Sequence, residues 1–96
     1  MTKRERKFES VWDAVEATPA AAANMKARAD LMIALGETVE GWDLRQAAAA
    51  KRLGLTQPRL NDLLRGRIGK FSLDALMEIA GRAGLSVRVE ILRPAA

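Results

Sequence analysis

The sequence predicts a mainly α-helical domain of five helices, followed by one β-strand near its C-terminal end. Apolar residues recur at spacings of three and four in five segments, which is the period of an amphipathic helix. Residues that cap and start helices, such as Thr18-Pro19 and Ser72, precede the longer segments. The segment LSVRVEIL instead alternates with a period of two, which is typical of a strand.

Residues 1–18 are expected to form a basic arm and a short amphipathic helix. The arm carries Lys3, Arg4, Arg6 and Lys7, and the helix places Phe8, Val11, Trp12 and Val15 on one face. That face packs in the core or, as an alternative, docks a partner protein. Thr18 then caps a second helix that runs to about Glu40. Its predicted buried stripe is Leu31, Ala34, Leu35 and Thr38, and Trp42 is expected to anchor the connection that follows.

Residues 45–66, RQAAAAKRLGLTQPRLNDLLRG, predict two short helices that meet at a glycine. Gly54 ends the first helix, Thr56 caps the second, and Pro58 falls in its first turn, where no N–H is needed. The second helix buries its leucines and leaves a polar, basic face of Gln57, Arg59, Asn61, Asp62 and Arg65. Because this arrangement suits insertion into a major groove, residues 19–84 are predicted to be a helix-turn-helix DNA-binding domain.

The charge is distributed unevenly along the chain. Residues 43–70 hold seven basic and two acidic side chains, a balance of +5, whereas residues 11–42 hold two basic and five acidic ones, a balance of −3. Positive charge is therefore concentrated where DNA would bind. The alternative is that these basic residues only keep an exposed helix face soluble and bind no ligand.

The end of the chain predicts a fifth helix and a strand. Ser72 caps the helix and Gly84 ends it. Residues 85–96 form the strand and tail, with one apolar face made by Leu85, Val87, Val89 and Ile91. Because no second strand is evident, this face is expected to pair with a second copy in a two-fold dimer, which suits a palindromic operator. The alternatives are a strand that packs alone or one that pairs with the N-terminal arm.

Composition narrows the function classes. The chain has no cysteine and no histidine, which removes disulfides, thiol chemistry and the commonest general base. The motif Gly66-Arg67-Ile68-Gly69-Lys70 is too short for a phosphate-binding loop, and no strand precedes it. No enzyme activity, cofactor or metal is therefore expected. The opening residues MTKRERKFES lack the apolar core of a signal peptide, and no membrane-spanning run is present, so a cytoplasmic protein is expected.

The pattern resembles that of a known family. The matching residues are Gln46, Ala50, Leu53-Gly54-Leu55, Thr56-Gln57, Leu60, Leu63 and Leu64-Arg65-Gly66. They resemble the Cro/CI-type helix-turn-helix family, also called XRE. The longer pattern that ends FSLDALMEIAGRAGLSVRVEI is similar to that of small bacterial regulators, many of which are antitoxins of the HigA kind. The resemblance extends over most of residues 24–92, and the implied fold is a five-helix Cro/CI repressor-like domain.

The resemblance implies two groups of DNA contacts. Base contacts would come from Gln57, Arg59, Asn61 and Asp62, with Gln57 reading adenine and Arg59 reading guanine. Phosphate contacts would come from Arg45, Gln46, Thr56, Arg65, Arg67 and Lys70. A carboxylate such as that of Asp62 is acceptable beside DNA opposite a cytosine amino group or through a water molecule.

The expected function is therefore that of a dimeric, sequence-specific repressor that binds a palindromic DNA operator. The resemblance favours an antitoxin that represses its own operon and holds a toxin of the RelE/HigB sort, with the acidic residues 11–42 as its candidate surface. A stand-alone XRE-type regulator is the first alternative. The second is a protein-interaction module that keeps the fold without binding DNA.

Overall fold

The computed structural model describes residues 18–95, which form four α-helices and one short 3₁₀-helix. The predicted N-terminal helix from Phe8 to Val15 lies outside the described residues, so the count of five helices is not confirmed. The helices are α1 (Pro19–Gly41), α2 (Gln46–Leu53), α3 (Gln57–Leu64), the 3₁₀-helix Ile68–Lys70 and α4 (Leu73–Arg82).

Side-chain oxygens cap three of the helices, as the sequence predicts. The Thr18 Oγ1 accepts from the Ala21 N–H at 3.0 Å, and the Thr56 Oγ1 accepts from the Arg59 N–H at 3.3 Å. Ser72 caps α4 in the same way. Each cap satisfies a backbone donor that has no partner within its helix, a contribution of about 1 kcal/mol.

Gly54 forms the turn between α2 and α3. Its φ of +69° lies in the left-handed region, where a side chain is strained. The Leu55 N–H donates to the Ala50 carbonyl at 2.8 Å, which closes the turn. Beside Gly54, the Arg82 Nη1 of α4 donates to the Leu53 carbonyl at 3.3 Å. A Cβ on residue 54 would lie 2.5 Å from that nitrogen, so the flexible Arg82 side chain would have to move aside, whereas the left-handed conformation itself favours glycine.

The core lies between α1 and the other three helices. α1 buries Met25, Met32, Leu35 and Val39. Of its predicted stripe, Leu35 is buried, whereas Leu31, Ala34 and Thr38 are half-buried, so the stripe is rotated from the predicted one. Trp42 is half-buried against the core, and the Arg52 guanidinium lies 4.1 Å from its ring centre. The remaining core residues are Ala49, Ala50, Leu53, Leu60, Leu63, Ile68, Phe71, Leu76, Ile79 and Ala80.

The predicted C-terminal strand is not confirmed, because residues 85–95 have no regular secondary structure. Leu85 is half-buried against the core, but Val87, Val89 and Ile91 are 41%, 70% and 76% exposed. A strand needs hydrogen bonds from a neighbouring strand, and the described part of this single chain supplies none. Between residues 18 and 95, no helix is long and apolar enough to cross a membrane.

Candidate nucleic-acid interface

Helices α2 and α3 pack against each other. Each has eight residues, and they meet through the buried Ala50 and Leu53 of α2 and the buried Leu60 and Leu63 of α3. On the other side of α3, Gln57 and Arg65 are exposed and Asn61 is half-buried, so this pair can present α3 to a ligand while α2 supports it.

Gln57 and Asn61 are the predicted base-contacting residues whose side chains have no partner within the described chain. Gln57 is exposed at the first position of α3, next to the capping Thr56. Asn61, one turn later, is half-buried. An exposed amide at the start of a helix can form the paired hydrogen bonds that distinguish adenine in the major groove.

Arg59 is placed on the protein itself. Its guanidinium carbon lies 3.9 Å from the centre of the Phe71 ring, and its Nη1 donates to the Lys70 carbonyl at 2.6 Å. These contacts join α3 to the loop that follows it. For Arg59 to contact a guanine, as the sequence predicts, its side chain must first leave Phe71.

Asp62 also contacts this loop. Its Oδ1 lies 3.4 Å from Arg67 Nη1, and its Oδ2 lies 3.7 Å from Lys70 Nζ. The Asp62 side chain is only 18% exposed. The structure thus brings one predicted base-contacting residue together with two predicted phosphate-contacting residues.

The other predicted phosphate contacts lie at helix ends. Arg45 and Gln46 are exposed at the start of α2, Thr56 is exposed at the start of α3, and Arg65 is exposed at the end of α3. A helix start offers backbone N–H groups and the positive end of the helix dipole, both of which favour phosphate.

The comparison with protein families agrees with this geometry. A family model described as a helix-turn-helix domain matches residues 15–92, which enclose all four helices of the described structure. The chain belongs to this helix-turn-helix family. The match is consistent with the XRE-like pattern read from the sequence. No curated protein matches the chain.

Arg28 is a structural residue of the helix-turn-helix domain that the sequence pattern does not single out. From α1, its Nη1 donates to the carbonyls of Ile68 and Phe71, each at 3.1 Å, and its Nε donates to Asn24 Oδ1 at 2.8 Å. The acceptors in the loop are 40 and 43 residues away, so no local pattern reveals the contact. The available signal was its spacing: Arg28 lies four residues before the buried Met32 and seven before the buried Leu35.

A second surface of the helix-turn-helix domain is acidic. An open groove of about 520 Å³ runs between the end of α1 and the start of α2. Its apolar lining includes Ile33 and Leu44, which are 43% and 44% exposed. Three carboxylates also line it, and among residues 18–95 none of them forms an ion pair: Glu37, Glu40 and Asp43. The groove thus has the opposite charge to the loop after α3.

Proposed function

We propose that this helix-turn-helix protein is a sequence-specific DNA-binding transcriptional regulator that acts as a repressor. The observation that carries the proposal is the exposed amide of Gln57 at the start of α3, beside the capping Thr56, with the exposed Arg65 at the other end of the same helix. A reading group framed by phosphate-binding groups is what recognition of a DNA sequence needs.

In the proposed complex, α3 enters the major groove. Gln57 and Asn61 contact bases, and Arg59 joins them by exchanging Phe71 for a guanine. Arg45, Gln46, Thr56 and Arg65 contact phosphates and thereby fix the orientation of α3. The loop that carries Arg67 and Lys70 contacts the DNA backbone beyond the C-terminal end of α3.

We further propose that the regulator binds as a homodimer. The tail from residue 86 onward exposes Val87, Val89 and Ile91 in an alternating pattern with Arg88 and Glu90. Antiparallel pairing of two tails would place these apolar side chains beside their copies on one face of a two-stranded ribbon and would pair the backbone groups along the shared edge. The resulting two-fold symmetry matches a palindromic operator.

The acidic groove supports an antitoxin role within this function. An apolar floor edged by Glu37, Glu40 and Asp43 suits a basic partner protein, such as a toxin of the RelE/HigB sort. We propose that the protein holds such a toxin and represses the operon that encodes both. A toxin gene beside this one would support the proposal, and its absence would favour the stand-alone regulator.

The same groove favours one other function, a protein-interaction module that does not bind DNA. That function requires no positive charge around α3, and the balance of +5 over residues 43–70 speaks against it. Capture of a partner by a protein without DNA affinity would support it.

The experiment is a gel-shift assay with DNA from immediately upstream of the gene, beside random DNA of equal length. At roughly 150 mM salt, nonspecific binding is weak, and a discrete shift with the upstream fragment alone is expected. Equal binding to both fragments would contradict autorepression. No binding to either fragment at low salt would contradict DNA binding itself.

A further inference from the structure

Asp62 has a different environment from the other outward residues of α3. Its carboxylate lies between two cations of the following loop, 3.4 Å from Arg67 Nη1 and 3.7 Å from Lys70 Nζ. The loop is also tied to α3 through the backbone, because the Arg67 N–H donates to the Asp62 carbonyl at 3.0 Å. The side chain of Asp62 is thus directed along the loop, and no base-reading role is needed to explain it.

Both ion pairs are looser than a direct charged hydrogen bond. Such bonds between nitrogen and carboxylate oxygen measure about 2.7–2.9 Å, and both distances here are longer. The Lys70 side chain is 56% exposed and that of Arg67 is 35% exposed. In addition, the Arg67 Nε is buried without a hydrogen-bond partner in the described chain. The side chains of Arg67 and Lys70 are therefore held near Asp62 but can still bind another anion that interacts with them more strongly.

A DNA phosphate is such an anion, but Asp62 competes with it. Affinity for any DNA grows with the number of phosphates that the protein neutralises, and so does its dependence on salt. With its carboxylate present, the cluster of Asp62, Arg67 and Lys70 carries a net charge of +1. Without that carboxylate, the same two cations would carry +2.

We propose that Asp62 restrains Arg67 and Lys70 and so lowers the affinity of the protein for DNA of any sequence. Asp62 is then a specificity-determining residue that acts through its neighbours and makes no contact with a base. Tight binding would depend on the contacts of Gln57 and Asn61, since the phosphate contacts of the loop are weakened. This inference rests on the proposed DNA-binding function and assigns Asp62 a different role from the one that the sequence predicts.

The test uses Asp62→Asn in the full chain, with a random-sequence duplex as the probe. Asparagine keeps the shape and one oxygen acceptor, so the loop retains its geometry while the negative charge is lost. We expect binding to random DNA to tighten about two- to eight-fold at roughly 0.1 M salt, because one further phosphate contact steepens the log–log salt slope by about 0.9. Fluorescence anisotropy over a salt series measures both quantities.

Asp30→Asn is the matched control. Asp30 also pairs with a lysine, Lys26, at 3.0 Å, and its loss changes the net charge by the same amount. Asp30 lies on the opposite side of α1, about 160° around the helix from Arg28, whose side chain contacts the loop. We expect this variant to bind random DNA like the unsubstituted protein, with an unchanged salt slope.

The outcomes separate the inference from the function on which it rests. Unchanged or weaker binding of random DNA by Asp62→Asn, or an equal gain in Asp30→Asn, would overturn the role of Asp62 alone. If Asp62→Asn instead lost its discrimination between base pairs at a single position of the operator, Asp62 would be a base-contacting residue. If the unsubstituted protein binds no DNA even at about 50 mM salt, the proposed function fails, and the inference fails with it.

Discussion

Gly54 is the position where the geometry of the helix pair can be tested by a single methyl group. In Gly54→Ala, alanine must adopt a left-handed conformation at φ +69°, which costs about 1–2 kcal/mol. Its Cβ would also lie 2.5 Å from Arg82 Nη1, so the guanidinium must move. That movement breaks the 3.3 Å hydrogen bond to the Leu53 carbonyl, a further loss of about 1 kcal/mol.

One effect acts in the other direction. Alanine reduces the conformational freedom of the unfolded chain, which stabilises the folded state by about 0.4–1 kcal/mol. We therefore expect Gly54→Ala to lower the free energy of unfolding by about 1–2.5 kcal/mol. Urea unfolding followed by far-ultraviolet circular dichroism measures this difference directly.

Gly81→Ala is the matched control, with the opposite expected sign. Gly81 lies within α4, and a Cβ there would meet nothing within 4 Å. Alanine should stabilise that helix by about 0.5–1 kcal/mol. In an Arg82→Ala background, the cost of Gly54→Ala should fall to its backbone part, about 1 kcal/mol. If Gly54→Ala is as stable as the unsubstituted protein, the left-handed backbone at Gly54 is not strained by a side chain. If removal of Arg82 leaves the cost of Gly54→Ala unchanged, the Arg82 side chain contributes nothing to that cost.

Three further predictions concern the interface and the dimer. Gln57→Ala should weaken operator binding by about 1–3 kcal/mol and random-DNA binding by much less, as measured by competition gel shift; equal losses would show that Gln57 does not contact a base. Arg65→Ala should weaken the binding of both DNAs and lower the slope of log affinity against log salt concentration by about one unit. An unchanged slope would show that Arg65 does not contact a phosphate. Deletion of residues 86–96, which spares the half-buried Leu85, should yield a folded monomer in analytical ultracentrifugation with much weaker operator binding. A truncated chain that remains dimeric would contradict tail pairing.

The features that the sequence predicts correctly are local ones. Thr18, Thr56 and Ser72 each cap the helix that follows within three residues, and Gly54 ends α2 within a single turn. Such signals depend on neighbouring backbone groups alone, so spacing and residue type are enough to find them.

The features that the sequence could not predict join distant parts of the chain. Arg28 reaches the loop from 40 and 43 residues away, and Arg59 lies against Phe71 once the loop has folded back onto α3. Asp62 occupies an outward position of α3 by helical spacing, yet its carboxylate faces the loop cations. Helical periodicity places a residue on a face but does not determine which partner its long or charged side chain meets there.

The C-terminal segment shows a different limit. Its alternating pattern is that of a strand, and strand formation depends on a partner that one chain does not contain. The pattern at Val87, Val89 and Ile91 is therefore a prediction about an assembly, which the fold of residues 18–95 leaves unconfirmed.

The entry of α3 into the major groove is tested most directly by a map of the backbone amide chemical shifts that change when a duplex containing the upstream operator is added. If α3 enters the major groove, the largest changes should lie at residues 45–46 and 56–70. Residues 33–44, which form the acidic side of the groove, should change little. Changes concentrated in residues 33–44, or spread evenly over the chain, would contradict the assignment of α3 as the DNA-reading helix.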